Sequence, residues 1–412
     1  MKWRQAVAGL LVLLAAAEIV RSLGRLDGVI FTGYTQVGEV VLQGGGGDPY
    51  GLRINTWPPF FLFLAAGLAL VARVSLAGGL LLWQVGSLAA LWGALRLMPR
   101  LAGEEPAPLT SSAVLVPLLM SARLLQEHFQ HTQINLYVLF LILLAFHLFQ
   151  QRHNGLGGLA LAVAVSLRAV PIILLPYLLY RRAWHAAAWT AGFLVVINLF
   201  LPVAVFGSNE ATERWRSWRA IATAETQDPT PGYSNQSLLA ALKRVLTNAA
   251  SARDPVKLAV ADWSTGRVVR LFYAFLAAIG VAFALAFWGN QSPPMLASPR
   301  SFGELAVILV LMPLISPLAW KAHFVTLLVG YWLIWRVMPP PGKGRWVWSL
   351  WWASLVCLTL TAPALVGTRA RSILESWNVI TVGALLVLSL TIWAATRPPP
   401  RPPTNAGAPT RP

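Results

Sequence analysis

The run LGGLALAVAVSLRAVPIILLPYLLYRRAW, Leu156–Trp184, decides what kind of molecule this is. From Leu156 to Tyr180 it carries a single charge, Arg168. A segment so long and apolar suits a bilayer, whose hydrocarbon core needs about 20 apolar residues to cross. Arg168 and Pro171 nevertheless predict a break rather than one plain lipid-facing helix. Proline cannot continue the helical hydrogen-bond ladder, and an intramembrane cation must face a partner or a cavity. The Arg181-Arg182 pair that follows is the kind of basic flank retained on the cytoplasmic side.

The rest of the chain agrees. Of its 412 residues 57% are hydrophobic and 11% charged, with mean hydropathy +0.62. A soluble chain carries about 25% charged residues. The composition predicts an all-α, polytopic membrane protein. Twelve apolar runs are candidate spans, near 5–23, 57–75, 77–97, 110–126, 133–150, 156–180, 184–206, 268–288, 303–319, 323–338, 345–366 and 378–395. With twelve spans both termini share a side, and most short-loop Lys and Arg fall there, which makes it cytoplasmic. Two long polar segments, 24–56 and 207–267, are then external. Within the first, Ile30, Phe31, Tyr34, Val37, Val40 and Val41 recur at helical spacing, which predicts a helix lying in the membrane interface. The basic start reads as an uncleaved first span rather than a signal peptide. Residues 1–396 form one membrane domain, and the Pro-rich 397–412 a disordered cytoplasmic tail.

The formal charge of +17 sits mostly between apolar runs, so the partners it implies are membrane lipids; with no polar folded domain, nucleic acid is not expected. The single cysteine, Cys357, lies in an apolar run and supports neither a disulfide nor a metal cluster.

Four polar islands stand out. GGGGDPYGLRINTWPPF, Gly44–Phe60, holds Asp48 beside glycines that allow close backbone approach, and ends in prolines suited to the first turn of a span. With Asp27 and Glu39 it supplies the acids of the first external segment, where a carboxylate beside an apolar wall can act as a general base. EHFQHTQINLY, Glu127–Tyr137, places Gln133 and Asn135 at the opening of an apolar run, where buried amides need partners such as sugar hydroxyls. Its His128 and His131 have no third ligand in register, so no metal site is predicted. LISPLAWKAHF, Leu314–Phe324, sets Lys321 and His323 where they can hold a phosphate and share a proton, against the plainer roles of snorkelling lysine and capping histidine. RWRSWR, Arg214–Arg219, predicts tryptophans at headgroup level with arginines such as Arg216 among phosphates, from lipid or from a lipid-linked substrate. Asn235 and Gln236 precede an amphipathic helix further on.

In order, LQGGGGDPY, NTWPPF, HTQIN, the opening run, GYSNQSLLAALKRVL and LISPLAWKAHF resemble bacterial family-87 glycosyltransferases over roughly residues 5–390. The resemblance implies a GT-C membrane fold of about twelve helices, with its active site on the non-cytoplasmic face of the inner membrane. It implies a polyprenyl-phosphate sugar donor, typically mannose, a lipid or glycan acceptor, and no further cofactor. It also implies an inverting displacement with an aspartate of the first external segment as base. In relatives that aspartate precedes a helical tyrosine by four residues; counting back from Tyr34, which would line the site, reaches Ile30. Asp27 is therefore the leading candidate, Asp48 the second and Glu39 the third. His323 matches the family histidine, Arg168 stands where relatives often carry lysine, and Lys321, Gln133, Asn135, Arg216, Asn235 and Gln236 complete the expected binding set. The rival is a transporter or flippase of a lipid-linked or polar substrate. It requires midplane polar groups and broken helices in both halves, and no internal repeat is visible.

Overall fold

The computed structural model describes residues 2–26, 30–44, 47–52, 54–249, 254–287 and 299–397. Asp27 and most of the Pro-rich tail lie outside them. Among the described residues the chain forms eighteen α-helices. In order they are α1 (Lys2–Leu23), α2 (Ile30–Leu42), α3 (Phe61–Val74), α4 (Leu76–Leu101), α5 (Ser112–Gln130), α6 (Asn135–Gln150), α7 (Asn154–Leu167), α8 (Leu174–Tyr180) and α9 (Trp184–Val195), then α10 (Leu201–Phe206), α11 (Ser208–Gln227), α12 (Leu238–Leu246), α13 (Thr265–Ala286), α14 (Pro299–Ile315), α15 (Leu327–Arg336), α16 (Arg345–Thr359), α17 (Pro363–Ser376) and α18 (Val379–Ala395).

Among the described residues four stretches are long and apolar enough to cross a membrane: Arg4–Leu23, Leu76–Leu101, Trp184–Phe206 and Thr265–Ala286. Two bent pairs, α5 with α6 at 119° and α16 with α17 at 86°, raise the number to six. Twelve apolar runs thus yield four to six long spans because several runs are broken. The 16 residues of α6 reach only about 24 Å, short of a hydrocarbon core of about 30 Å. Outward-facing apolar side chains fit a lipid solvent: Leu13 is 67% exposed and Leu285 68%.

The break expected inside the opening run is present. Helix α7 ends at Arg168, whose backbone is extended, and Val170–Ile173 forms a 3-10 turn with Pro171 in its first positions. A second break separates α14 from α15. There Ser316–Trp320 is irregular and Lys321–Thr326 is a buried 3-10 segment. The corner between α5 and α6 turns on Thr132, a non-glycine residue at φ 52°.

Helix α2 docks on that corner. Phe31 N–H donates to Thr132 Oγ1 (2.9 Å) and the Trp83 indole to the Thr132 carbonyl (2.9 Å). It lies against α3 through Gly38, where an added Cβ would sit 2.0 Å from the Ala65 carbonyl oxygen. Because that obstacle is backbone, no rotamer change relieves it. Gly38→Ala is expected to separate α2 from α3 and cost about 1–3 kcal/mol. Unfolding of the detergent-solubilised variant measures this; wild-type stability would show the helices to be less closely seated.

Candidate active site

The two breaks, the α5–α6 corner and the loop before α3 meet at one cavity of about 230 Å³. The corner contributes Gln133. The break after α7 contributes Arg168, Ala169 and Val170. The loop contributes Ile54, Thr56, Trp57 and Pro58, and the segment after α14 contributes Ser316, Pro317, Leu318, Trp320 and His323. Ile30 at the start of α2 closes one side. The remaining wall is α11, which presents Trp218, Ile221, Ala222 and Glu225. Those four follow i, i+3, i+4, i+7 spacing and so share one helical face.

The polar centre is Arg168. One terminal nitrogen donates to Asn135 Oδ1 (2.9 Å) and the other lies 2.8 Å from His323 Nδ1. Trp320 N–H also points at Nδ1, at 3.0 Å. Two donors converging on Nδ1 require it to be the unprotonated nitrogen, so the neutral ring carries its proton on Nε2. The imidazole stacks on Trp320 with ring centroids 6.0 Å apart. Among the described residues Arg168 has no carboxylate partner. Of the five donors on a guanidinium, described residues engage two. Gln133 is 4% exposed and its side-chain amide has no protein partner among the described residues. The cavity therefore offers a guanidinium fork suited to phosphate, an amide without a described partner and three tryptophan side chains.

The expected site residues divide in two. His323, Arg168 and Gln133 line the cavity, and Asn135 stands behind Arg168, its amide donating to the Ala322 carbonyl (3.1 Å). Tyr34 is buried, edge-on to Trp57, Phe61 and Trp83 at 4.8–5.4 Å. The others lie elsewhere. Asp48 is exposed in an Asx turn, accepting from Tyr50 N–H (2.9 Å). Glu39 pairs with Arg73 on the surface (2.7 Å). Lys321 is buried between Glu127 (2.9 Å) and Glu375 (2.8 Å). Arg216 is exposed and pairs with Glu213 (2.5 Å).

Asn235 and Gln236 brace the cavity rather than line it. The Asn235 amide donates to the Pro317 carbonyl (3.0 Å), and its Oδ1 accepts from Ala319 N–H (3.0 Å). Gln236 N–H donates to the Ala319 carbonyl (2.7 Å) and its side chain to the Glu375 carbonyl (2.8 Å). Together they fix the shape of Pro317–Ala319. The tryptophans of RWRSWR also turn toward protein. Trp215 donates to the Asn198 carbonyl (2.7 Å) and Trp218 to the Thr56 carbonyl (3.2 Å). Trp215 ties α11 to the stretch between α9 and α10, and Trp218 ties it to the loop before α3.

Sequence reasoning missed Glu225, the one carboxylate among the described lining residues. The signal was there: extending the tryptophan periodicity from Trp218 by seven residues reaches it. Burial pushes its carboxyl above the usual range; Asp228 adds to the shift and Lys243 opposes it.

The model of glycosyltransferase family 87 matches residues 55–317. Over 339 residues the chain is 28% identical to a polyprenol-phosphate-mannose-dependent alpha-(1-2)-phosphatidylinositol pentamannoside mannosyltransferase of Mycobacterium tuberculosis (strain CDC 1551 / Oshkosh), covering 81% of this chain and 70% of that protein. A protein of the same description from Mycolicibacterium smegmatis is 24% identical over 344 residues, covering 81% of this chain and 74% of its own. No solved structure matches.

Proposed function

The chain belongs to glycosyltransferase family 87, and from that premise we propose that it moves a mannosyl unit from a polyprenyl-phosphate donor to a glycolipid or glycan acceptor. The observation that carries this is Arg168, an arginine without a carboxylate partner among the described residues, facing a cavity walled by Trp57, Trp218 and Trp320. A guanidinium fork suits the phosphate that leaves with the lipid. Aromatic faces suit the apolar faces of sugar rings, and Gln133 suits their hydroxyls. The reaction is a single displacement. The acceptor hydroxyl attacks the anomeric carbon, the bond from that carbon to the phosphate oxygen breaks, and its electron pair leaves on polyprenyl phosphate. The sugar carbon inverts, and an external carboxylate takes the hydroxyl proton.

The topology that goes with this reading is a GT-C fold of about twelve membrane-crossing segments, short and broken ones included, in the inner membrane. The cavity opens to the non-cytoplasmic side, and α2 lies along the interface. The relatives' names point to an acceptor of the phosphatidylinositol mannoside class.

A membrane-fraction assay with radiolabelled polyprenyl-phosphate mannose and a phosphatidylinositol mannoside acceptor tests the reading. Wild type is expected to transfer label. His323→Ala, which removes the acceptor that orients Arg168, is expected to lower transfer by up to about 10²-fold, the scale of a misplaced reacting group. Wild type that moves no label from this donor or other polyprenyl-phosphate sugars sinks the proposal.

A further inference from the structure

We infer that Glu225 on α11 holds the acceptor, its carboxylate taking hydrogen bonds from hydroxyls of the sugar ring that receives the new unit; the assignment rests on the glycosyl-transfer reading above. Glu225 lines the cavity, is half-buried, and has no hydrogen-bond or ion-pair partner among the described residues. Its oxygens are therefore available to a ligand. A carboxylate accepts on two oxygens and donates nothing, so neighbouring hydroxyls of one ring can both give it their hydrogens. Such charge-assisted bonds are stronger than neutral ones.

Trp218 supplies the other half of a sugar site. It stands seven residues earlier on the same face of α11, with Ile221 and Ala222 between them on the cavity wall. Seven residues advance the helix by about 10 Å. That leaves room for one ring with the indole at one end, the carboxylate at the other and an apolar floor beneath. The wall is held in place, because Trp218 donates to the Thr56 carbonyl (3.2 Å) and Trp215 to the Asn198 carbonyl (2.7 Å). A mostly apolar wall with one strong acceptor matches a ring that carries C–H bonds on its faces and hydroxyls on its edge.

Charge decides which substrate this wall serves. The donor carries a negative phosphate beside its sugar, and the group suited to that phosphate is Arg168, held by Asn135 and His323 on other walls. A carboxylate brought against the phosphate would repel it, so Glu225 serves the neutral ring. The charges that act on Glu225 are Asp228, which follows it in the chain, and Lys243 of α12. Lys243 is tied to the Thr226 (2.8 Å) and Asp228 (2.6 Å) carbonyls, so it secures the end of α11 and leaves the carboxylate unpaired. The two external segments then divide the work. An acid of the first takes the proton of the attacking hydroxyl, and Glu225 of the second grips neighbouring hydroxyls and orients the ring.

The test uses the full-length protein in membranes, with radiolabelled polyprenyl-phosphate mannose and a phosphatidylinositol mannoside acceptor. The acceptor's terminal sugar is also supplied in monodeoxy forms that keep the attacking hydroxyl. Glu225→Ala is expected to raise acceptor KM by about 10–10²-fold, the worth of a hydrogen bond to a charged group, with kcat and donor KM little changed. Glu225→Gln, which keeps one oxygen acceptor, raises it by less. For at least one monodeoxy acceptor the wild-type KM is expected to rise while that of Glu225→Ala stays put, since both changes delete the same bond. Binding of polyprenyl phosphate, read by tryptophan fluorescence, survives in both variants. An unchanged acceptor KM in Glu225→Ala overturns the inference, as does a donor KM that rises instead, which would put the carboxylate on the donor sugar. Deoxy penalties that are the same in Glu225→Ala as in wild type also overturn it, because Glu225 would then support the wall without touching the ring. Loss of polyprenyl phosphate binding in both variants has the same meaning. A wild type inactive with every polyprenyl-phosphate sugar overturns the transfer reading and this assignment with it.

Discussion

Arg168→Met is expected to reduce mannosyl transfer by about 10²–10³-fold, the cost of removing one preorganised electrostatic donor from an active site. The size follows from the position of the charge. Arg168 closes α7 where the chain breaks, Asn135 and His323 hold two of its nitrogens, and no carboxylate among the described residues neutralises it. Negative charge grows on the phosphate oxygen as the sugar bond breaks, so an oriented cation there stabilises the transition state more than the bound donor. The loss should therefore appear mainly in kcat. Arg168→Lys is expected to recover only part of it, because an ammonium cannot hold Asn135 and His323 in a fork and still face a phosphate. Folding should survive in both variants, since among the described residues Arg168 bridges no carboxylate. Transfer by Arg168→Met within a few-fold of wild type would remove the phosphate role.

Much of this site was legible as ordered landmarks. NTWPPF, HTQIN, SLRAVP and LISPLAWKAH each contribute wall residues to the cavity: Trp57, Gln133, Arg168 and His323. Their legibility has a physical basis. A polar or proline-bearing island inside an apolar run breaks a helix, and breaks deep in a membrane protein are tolerated where they line a cavity. The break at Arg168 was readable for the same reason. What hydropathy hid was helix length. It counts apolar residues and is blind to the corner at Thr132 or the kink before Pro363, so twelve runs became four to six long spans.

Polar residues were harder to sort, because residue type does not say whether a group faces a ligand or its own backbone. Asn235, Gln236 and Lys321 have the chemistry of binding residues, yet their atoms are spent on Pro317, Ala319, Glu375 and Glu127. Glu225 sits among exposed acids in a polar helix, and only the loop packed on Trp218 makes its face an interior one. Long-range packing of that kind leaves no local pattern beyond the periodicity itself.

The buried network around Lys321 gives the second large effect. Lys321 and Arg123 meet Glu127, while Lys321 and Arg371 meet Glu375. His131 adds a contact to Glu127 at 3.2 Å. These groups join α5, α17 and the segment that carries His323. Leaving His131 aside, three cations share two carboxylates, and that imbalance ranks the substitutions. Glu127→Ala leaves Arg123, 7% exposed, with no carboxylate, and Lys321 and Arg371 on one acid. Breaking a buried pair from one side costs about 3–5 kcal/mol, because the remaining charge is neither solvated nor paired. Lys321→Met removes the surplus cation instead. Each carboxylate keeps an arginine, Glu127 with Arg123 and Glu375 with Arg371, and methionine fills the lysine stem's volume. Glu127→Ala is therefore expected to destabilise the detergent-solubilised protein by about 3–5 kcal/mol, and Lys321→Met by clearly less. Denaturant unfolding of the two variants beside wild type measures the order. Equal losses would mean that Lys321 is held for a reason other than charge balance. A stable Lys321→Met that has lost polyprenyl phosphate binding would return this lysine to the phosphate role its sequence context suggested.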